Sequence, residues 1–186
     1  MNDLITVIKY IIQDMTEPAG YLPSGVAAGV VFLLFRKVLK KKYALPHGKA
    51  ELRQDFLFFL VVLYAAVLLK LAFLSRAPGS RTDVSLRLFE TWGSTLREHS
   101  FFLENILMFI PFGILIPYAF PALRRLRRCT AAGFLCSLCL ELVQLATGRG
   151  FCQLDDLVTN TLGTLIGALI FLAISRVHVH GRTASG

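Results

Sequence analysis

Apolar and polar positions alternate along the chain in blocks. Five long greasy runs are separated by connections dense in charge, glycine or proline: about residues 19–35, 56–74, 101–120, 130–147 and 157–175. Each is near the roughly 20 apolar residues that a helix needs to cross a bilayer. Ahead of them, Leu4, Ile5, Ile8, Ile11, Ile12 and Met15 fall on one helical face, with Asn2, Thr6, Lys9 and Gln13 opposite. That pattern predicts a short amphipathic helix lying in the membrane interface and ended by Pro18. The fold class read from the pattern is an all-α integral membrane protein, a five-helix transmembrane bundle preceded by an interfacial helix.

Composition agrees. Of 186 residues, 55% are hydrophobic, and the mean hydropathy is +0.61. The net charge of +8 does not suggest a nucleic-acid partner. The basic residues cluster between greasy runs, at Arg36–Lys42 and Arg124–Arg128, as in the cytoplasmic loops of membrane proteins. Placing both loops inside puts the N-terminus outside and the C-terminus in the cytoplasm. The arginines of the long 75–100 connection (Arg76, Arg81, Arg87, Arg97) argue the other way. Lys70, late in the second run, is expected to snorkel. No cleavable signal peptide is read at the N-terminus. The cysteines read as small core residues with Cys129 in a basic loop, not as a disulfide framework or zinc site.

The candidate chemistry lies in polar groups interrupting the greasy runs, which are costly in hydrocarbon and usually face a bundle interior. Glu141 and Gln144 share one helical face. Asp156, Asn160, Gly163 and Gly167 form a stripe on the last span, where the glycines admit a close neighbour. Asn105 shares a face with Phe109, Gly113 and Ile116, and Pro111 breaks the backbone ladder there. The topology brings Asn105, Glu141, Gln144, Asp155, Asp156 and Asn160 toward one outer pocket, with Arg149 as counter-charge. Plainer roles compete: a Glu141–Arg149 ion pair fixing the turn, Asp155 or Asp156 capping the last helix, and asparagines bonding across helices. Acid–base work or a hard-cation site fits the residue types, but spacing compels neither. The sequence assigns no cofactor, metal or catalytic residue.

Three segments taken together, Asn105-Ile-Leu-Met-Phe-Ile-Pro111-Phe-Gly113, Glu141-Leu-Val-Gln144 and Asp155-Asp156-x-x-x-Asn160-Thr-Leu-Gly163, resemble the VanZ family of bacterial membrane proteins. The resemblance covers residues 56–175, a four-helix unit. Residues 1–17 (the interfacial helix) and 18–55 (a span with its basic loop) read as an extension, and 176–186 as a polar tail. The resemblance implies a multi-pass protein of the bacterial cell membrane. The family is named for a member that lowers susceptibility to the lipoglycopeptide teicoplanin rather than to vancomycin. It maps motif positions onto Asn105, Pro111, Gly113, Glu141, Gln144, Asp156, Asn160 and Gly163.

The resulting expectation is action at the outer leaflet on a cell-envelope lipid, a cell-wall lipid precursor or a lipoglycopeptide. Two alternatives stand beside it. One is a metal-assisted hydrolase or transferase using Glu141, Asp155 and Asp156 on a lipid head group; the other is a structural scaffold.

Overall fold

The computed structural model describes residues 2–43, 48–74, 79, 84–85, 92, 95–150 and 152–183. The five greasy runs become five membrane-length apolar stretches among these residues. They are α3 (Leu22–Lys42), α4 (Lys49–Leu69), α5 (Leu96–Ala119), α6 (Leu126–Thr147) and α7 (Leu154–Thr183), preceded by α1 (Asn2–Asp14) and α2 (Thr16–Gly20). The chain is a multi-pass membrane protein. Its one sheet element, among the described residues, is a two-residue parallel pair: β1 (Val84–Ser85) and β2 (Cys152–Gln153).

The helices outrun their apolar runs where charges find partners. At the junction of α3 and α4, Lys40 is bonded to Asp55 and close to Glu51, and Arg36 pairs with Asp55. The polar turns of both helices therefore stay helical. Lys70 sits over the Tyr21 ring, 4.6 Å from its centroid. The helical backbone of α7 continues through the polar tail to Thr183.

Two sequence expectations need correction. Pro18 lies inside α2, and the break comes at Met15. A proline nitrogen cannot donate to the carbonyl four residues back, here that of Asp14, so the interruption precedes the proline. Cys129 is not in a loop. It is buried in α6, where its Sγ lies 3.8 Å from the Gly113 carbonyl, the acceptor left without its usual donor by Pro117 inside α5.

The most extensive helix pairing is α5 against α7, and glycine makes it possible. A Cβ on Gly163 would strike the Ile106 carbonyl oxygen, one on Gly167 that of Ile110, and one on Gly113 the Thr164 carbonyl. Backbone thus lies on backbone, the close approach that small residues permit in membranes. Gly133 on α6 makes the same allowance for the Thr164 side chain. Around this contact Phe109, Phe112, Ile116, Leu68 and Leu140 form the apolar core. Val30, Val31, Leu34, Leu135 and Leu169 point outward, as lipid-facing positions do.

Candidate functional site

The site grows from the end of α6. Gly148 adopts φ 61°. Its N–H bonds Leu145 O, and the Arg149 N–H bonds Gln144 O, so the helix closes in a Schellman turn that suits glycine. This turn folds the chain back, and the Gln153 N–H, just ahead of α7, donates to Glu141 Oε2 at 3.1 Å. Asp155 and Asp156 both fall within the first turn of α7, where the helix dipole favours carboxylates.

The end of α4 unwinds into a π-helical turn, Lys70–Leu74. Such turns loosen the ladder and leave carbonyls for outside donors. Gln144 Nε2 reaches Ala72 O at 3.2 Å and Arg149 Nη1 reaches Phe73 O at 2.8 Å. Arg149 thus bonds a carbonyl at the end of α4, and no Glu141–Arg149 ion pair is seen among the described residues. Arg149 closes the end of α4, because the Schellman turn sends it toward that helix.

Two polar bridges cross α7. Asn105 Nδ2 donates to Asp156 Oδ1 at 2.7 Å, tying α5 to α7. Asn160 Nδ2 lies 3.0 Å from Ser137 Oγ, tying α7 to α6.

Asn105, Glu141, Gln144, Asp156 and Asn160 line one cavity of about 710 Å³. That volume lies within the range of small-molecule sites. Of the sequence candidates, Arg149 and Asp155 stand outside its lining, and Asp155 is buried to 2% exposure. Among the described residues no three carboxylate, thiol or imidazole groups are placed to hold a metal ion.

Glu104 and the N-terminal residues of the remaining wall were missed in the sequence. Glu104 and Arg97 on α5, together with Asp14, Met15, Glu17 and Pro18 from the N-terminal segment, also line it. α1 docks on α5 through Val7, which is buried, and through an Arg97–Asp14 bridge at 2.9 Å. The Arg97 guanidinium sits 5.0 Å from the Tyr10 ring centroid and 4.9 Å from that of Phe101. Leu4, Ile5, Ile8 and Ile12 stay exposed on the outer face. The start of α5 is fixed by a capping box between Thr95 and Glu98. A signal for Glu104 was available: Arg97, Phe101, Glu104 and Met108 recur at steps of four, three and four residues, one face of a helix. Arg76, Arg81 and Arg87 lie outside the described residues.

With this geometry in place, comparison with known proteins is decisive for kinship. The family model described as VanZ/LLP1 matches residues 56–175. The chain belongs to the VanZ/LLP1 family. It is also 30% identical over 135 residues to Protein VanZ of Enterococcus faecium, covering 72% of this chain and 80% of that protein. No solved structure matches. In this VanZ-family chain, the part of the cavity built by α4 to α7 comes from the matched segment, whereas Asp14, Met15, Glu17 and Pro18 lie ahead of it.

Proposed function

We propose that this VanZ-family membrane protein acts at the outer leaflet on a cell-envelope lipid or lipid-anchored glycopeptide, and thereby lowers teicoplanin susceptibility. One observation carries the reading: a cavity of about 710 Å³ at one end of the bundle, floored by Glu141, Gln144, Asp156, Asn105 and Asn160. A polar site at that depth suits a head group whose chains remain among the exposed apolar helix faces. The basic residues at the C-terminal end of α3 and between α5 and α6 belong to the opposite end of the bundle. With those loops in the cytoplasm, as the positive-inside rule favours, the cavity opens outward.

A scaffold reading has one observation in its favour. Glu141, Gln144, Asn105, Asp156 and Asn160 each make a bond within the protein. Glu141→Gln separates the two readings, because an amide oxygen still accepts the Gln153 N–H while the charge is gone. The test is teicoplanin and vancomycin susceptibility of a sensitive Gram-positive host with wild type or Glu141→Gln at matched membrane levels. The expected result is selective teicoplanin protection by wild type that disappears in the variant, with thermal stability preserved. Full protection by the variant defeats the proposal, and a parallel fall in stability and protection favours the scaffold.

A further inference from the structure

A second recess runs along the outside of the bundle between α6 and α7. Leu126, Arg127, Thr130 and Phe134 of the first helix and Thr161 and Leu165 of the second line it. Gly133 lets the Thr164 side chain come up against α6, so the helices sit close, and the short Thr130 and Thr161 leave a furrow above that contact. From Leu126 to Phe134 the helix rises about 12 Å. That is near the depth of one leaflet in a hydrocarbon core about 30 Å thick. Apart from one guanidinium at its end and two threonine hydroxyls, the lining is hydrocarbon.

The guanidinium is that of Arg127. Its side chain is exposed, and among the described residues no carboxylate lies within ion-pair distance of it. Its neighbours are partly committed: Arg124 Nε donates to Pro117 O at 3.3 Å and Arg128 Nη1 to Ala122 O at 3.2 Å. Thr130 is also out of step. Thr147, Thr159, Thr161 and Thr164 each donate to the carbonyl four residues back, the usual arrangement for a threonine inside a helix. The Thr130 hydroxyl is buried and has no partner among the described residues. It lies one turn beyond Arg127, about 4.5 Å deeper along α6.

We propose that this groove holds one anionic phospholipid. Arg127 takes the phosphate, the Thr130 hydroxyl turns to an ester carbonyl below it, and an acyl chain fills the furrow beside Phe134 and Leu165. Groups along the groove follow their order in the lipid: charge at the interface, carbonyl one turn in, hydrocarbon beyond. A guanidinium matches phosphate oxygens with paired donors, and basic pockets between membrane helices take acidic head groups. A free phosphate would satisfy Arg127 and leave the furrow empty. A choline head group would bring another cation among Arg124, Arg125, Arg127 and Arg128. The site is separate from the cavity and holds in either orientation of the bundle.

The experiment offers the full chain in detergent micelles equal amounts of phosphatidylglycerol and phosphatidylcholine with identical acyl chains. Native mass spectrometry reads the bound lipid. The expected preference for phosphatidylglycerol is about fivefold, the scale on which one basic residue attracts an acidic lipid. It should fall toward unity in Arg127→Gln and persist in Arg125→Gln, which removes the same charge outside the groove lining. Ala131→Trp, which fills the groove from an exposed lining position, should lower retention of both lipids. Each variant is checked to melt with wild type.

Equal retention of the two lipids by folded wild type overturns the proposal. Equal losses of preference in Arg127→Gln and Arg125→Gln also overturn it, because net charge and not a site would then select the lipid. A lipid-free dimer dispersed by Ala131→Trp overturns it as well and gives the groove to a second copy of the chain.

Discussion

Asn105 Nδ2 donates to Asp156 Oδ1 at 2.7 Å across the contact between α5 and α7. The bond joins two residues 51 positions apart and orients the Asp156 carboxylate within the cavity. Asn105→Ala removes the donor and is expected to lower stability by about 1–2 kcal/mol, the upper range for interhelical polar bonds in membranes. Asp156→Asn retains an acceptor oxygen and should melt near wild type. Thermal unfolding in matched detergent compares the two; equal losses would mean that the carboxylate charge itself supports the fold.

The glycine contact makes a sharper demand. Gly163→Val or Gly167→Val must drive α5 and α7 apart, since the added Cβ meets backbone oxygen rather than a yielding side chain. A loss of roughly 3 kcal/mol or more is expected, at or beyond the usual cost of overpacking. The measurable result is little monodisperse protein on size exclusion. Gly20→Ala, with nothing within 4 Å of the new Cβ, is the control and should behave as wild type.

Glu141 is expected to tolerate loss of charge better than loss of oxygen. Glu141→Leu leaves the Gln153 N–H without its acceptor, which costs on the order of 1–3 kcal/mol. Glu141→Gln does not. The variants should therefore separate in thermal stability while both lose teicoplanin protection. Indistinguishable melting would show that the turn between α6 and α7 does not depend on this bond.

The bridge from Arg97 to Asp14 is partly open to its surroundings, with side-chain exposures of 40% and 22%, so its share of stability is small, under about 1 kcal/mol. Its expected role is positional. Asp14→Ala should leave the melting temperature nearly unchanged while a spin label on the outer face of α1 gains mobility and its distance to α5 broadens. An unchanged distance distribution would assign the docking to Val7 and its neighbours alone.

Much of this was legible in the chain itself. Hydrocarbon runs of bilayer length reveal spans because no water is available to satisfy a different backbone. The polar positions Asn105, Glu141, Gln144, Asp156 and Asn160 stood out because so few alternatives to a shared interior exist for them. Arg149 was misjudged for a physical reason: proximity in sequence to Glu141 suggested a pair, but one left-handed residue at Gly148 redirected it to a carbonyl on α4. The dock of α1 was also hidden. Asp14 and Arg97 are 83 positions apart, and no local periodicity encodes a contact at that separation. Glu104 was readable from its helical spacing, yet it was overshadowed by its neighbour Asn105.

The N-terminal wall of the cavity has a wider consequence. Its floor is built from residues within the 56–175 segment that matches the family, and one side is supplied by Asp14, Met15, Glu17 and Pro18 from outside it. The two parts lie far apart in sequence and meet where α1 packs on α5. Such an arrangement is modular: the leading helices can be exchanged or redesigned to reshape what enters, while the glycine-packed pair beneath them continues to carry the fold.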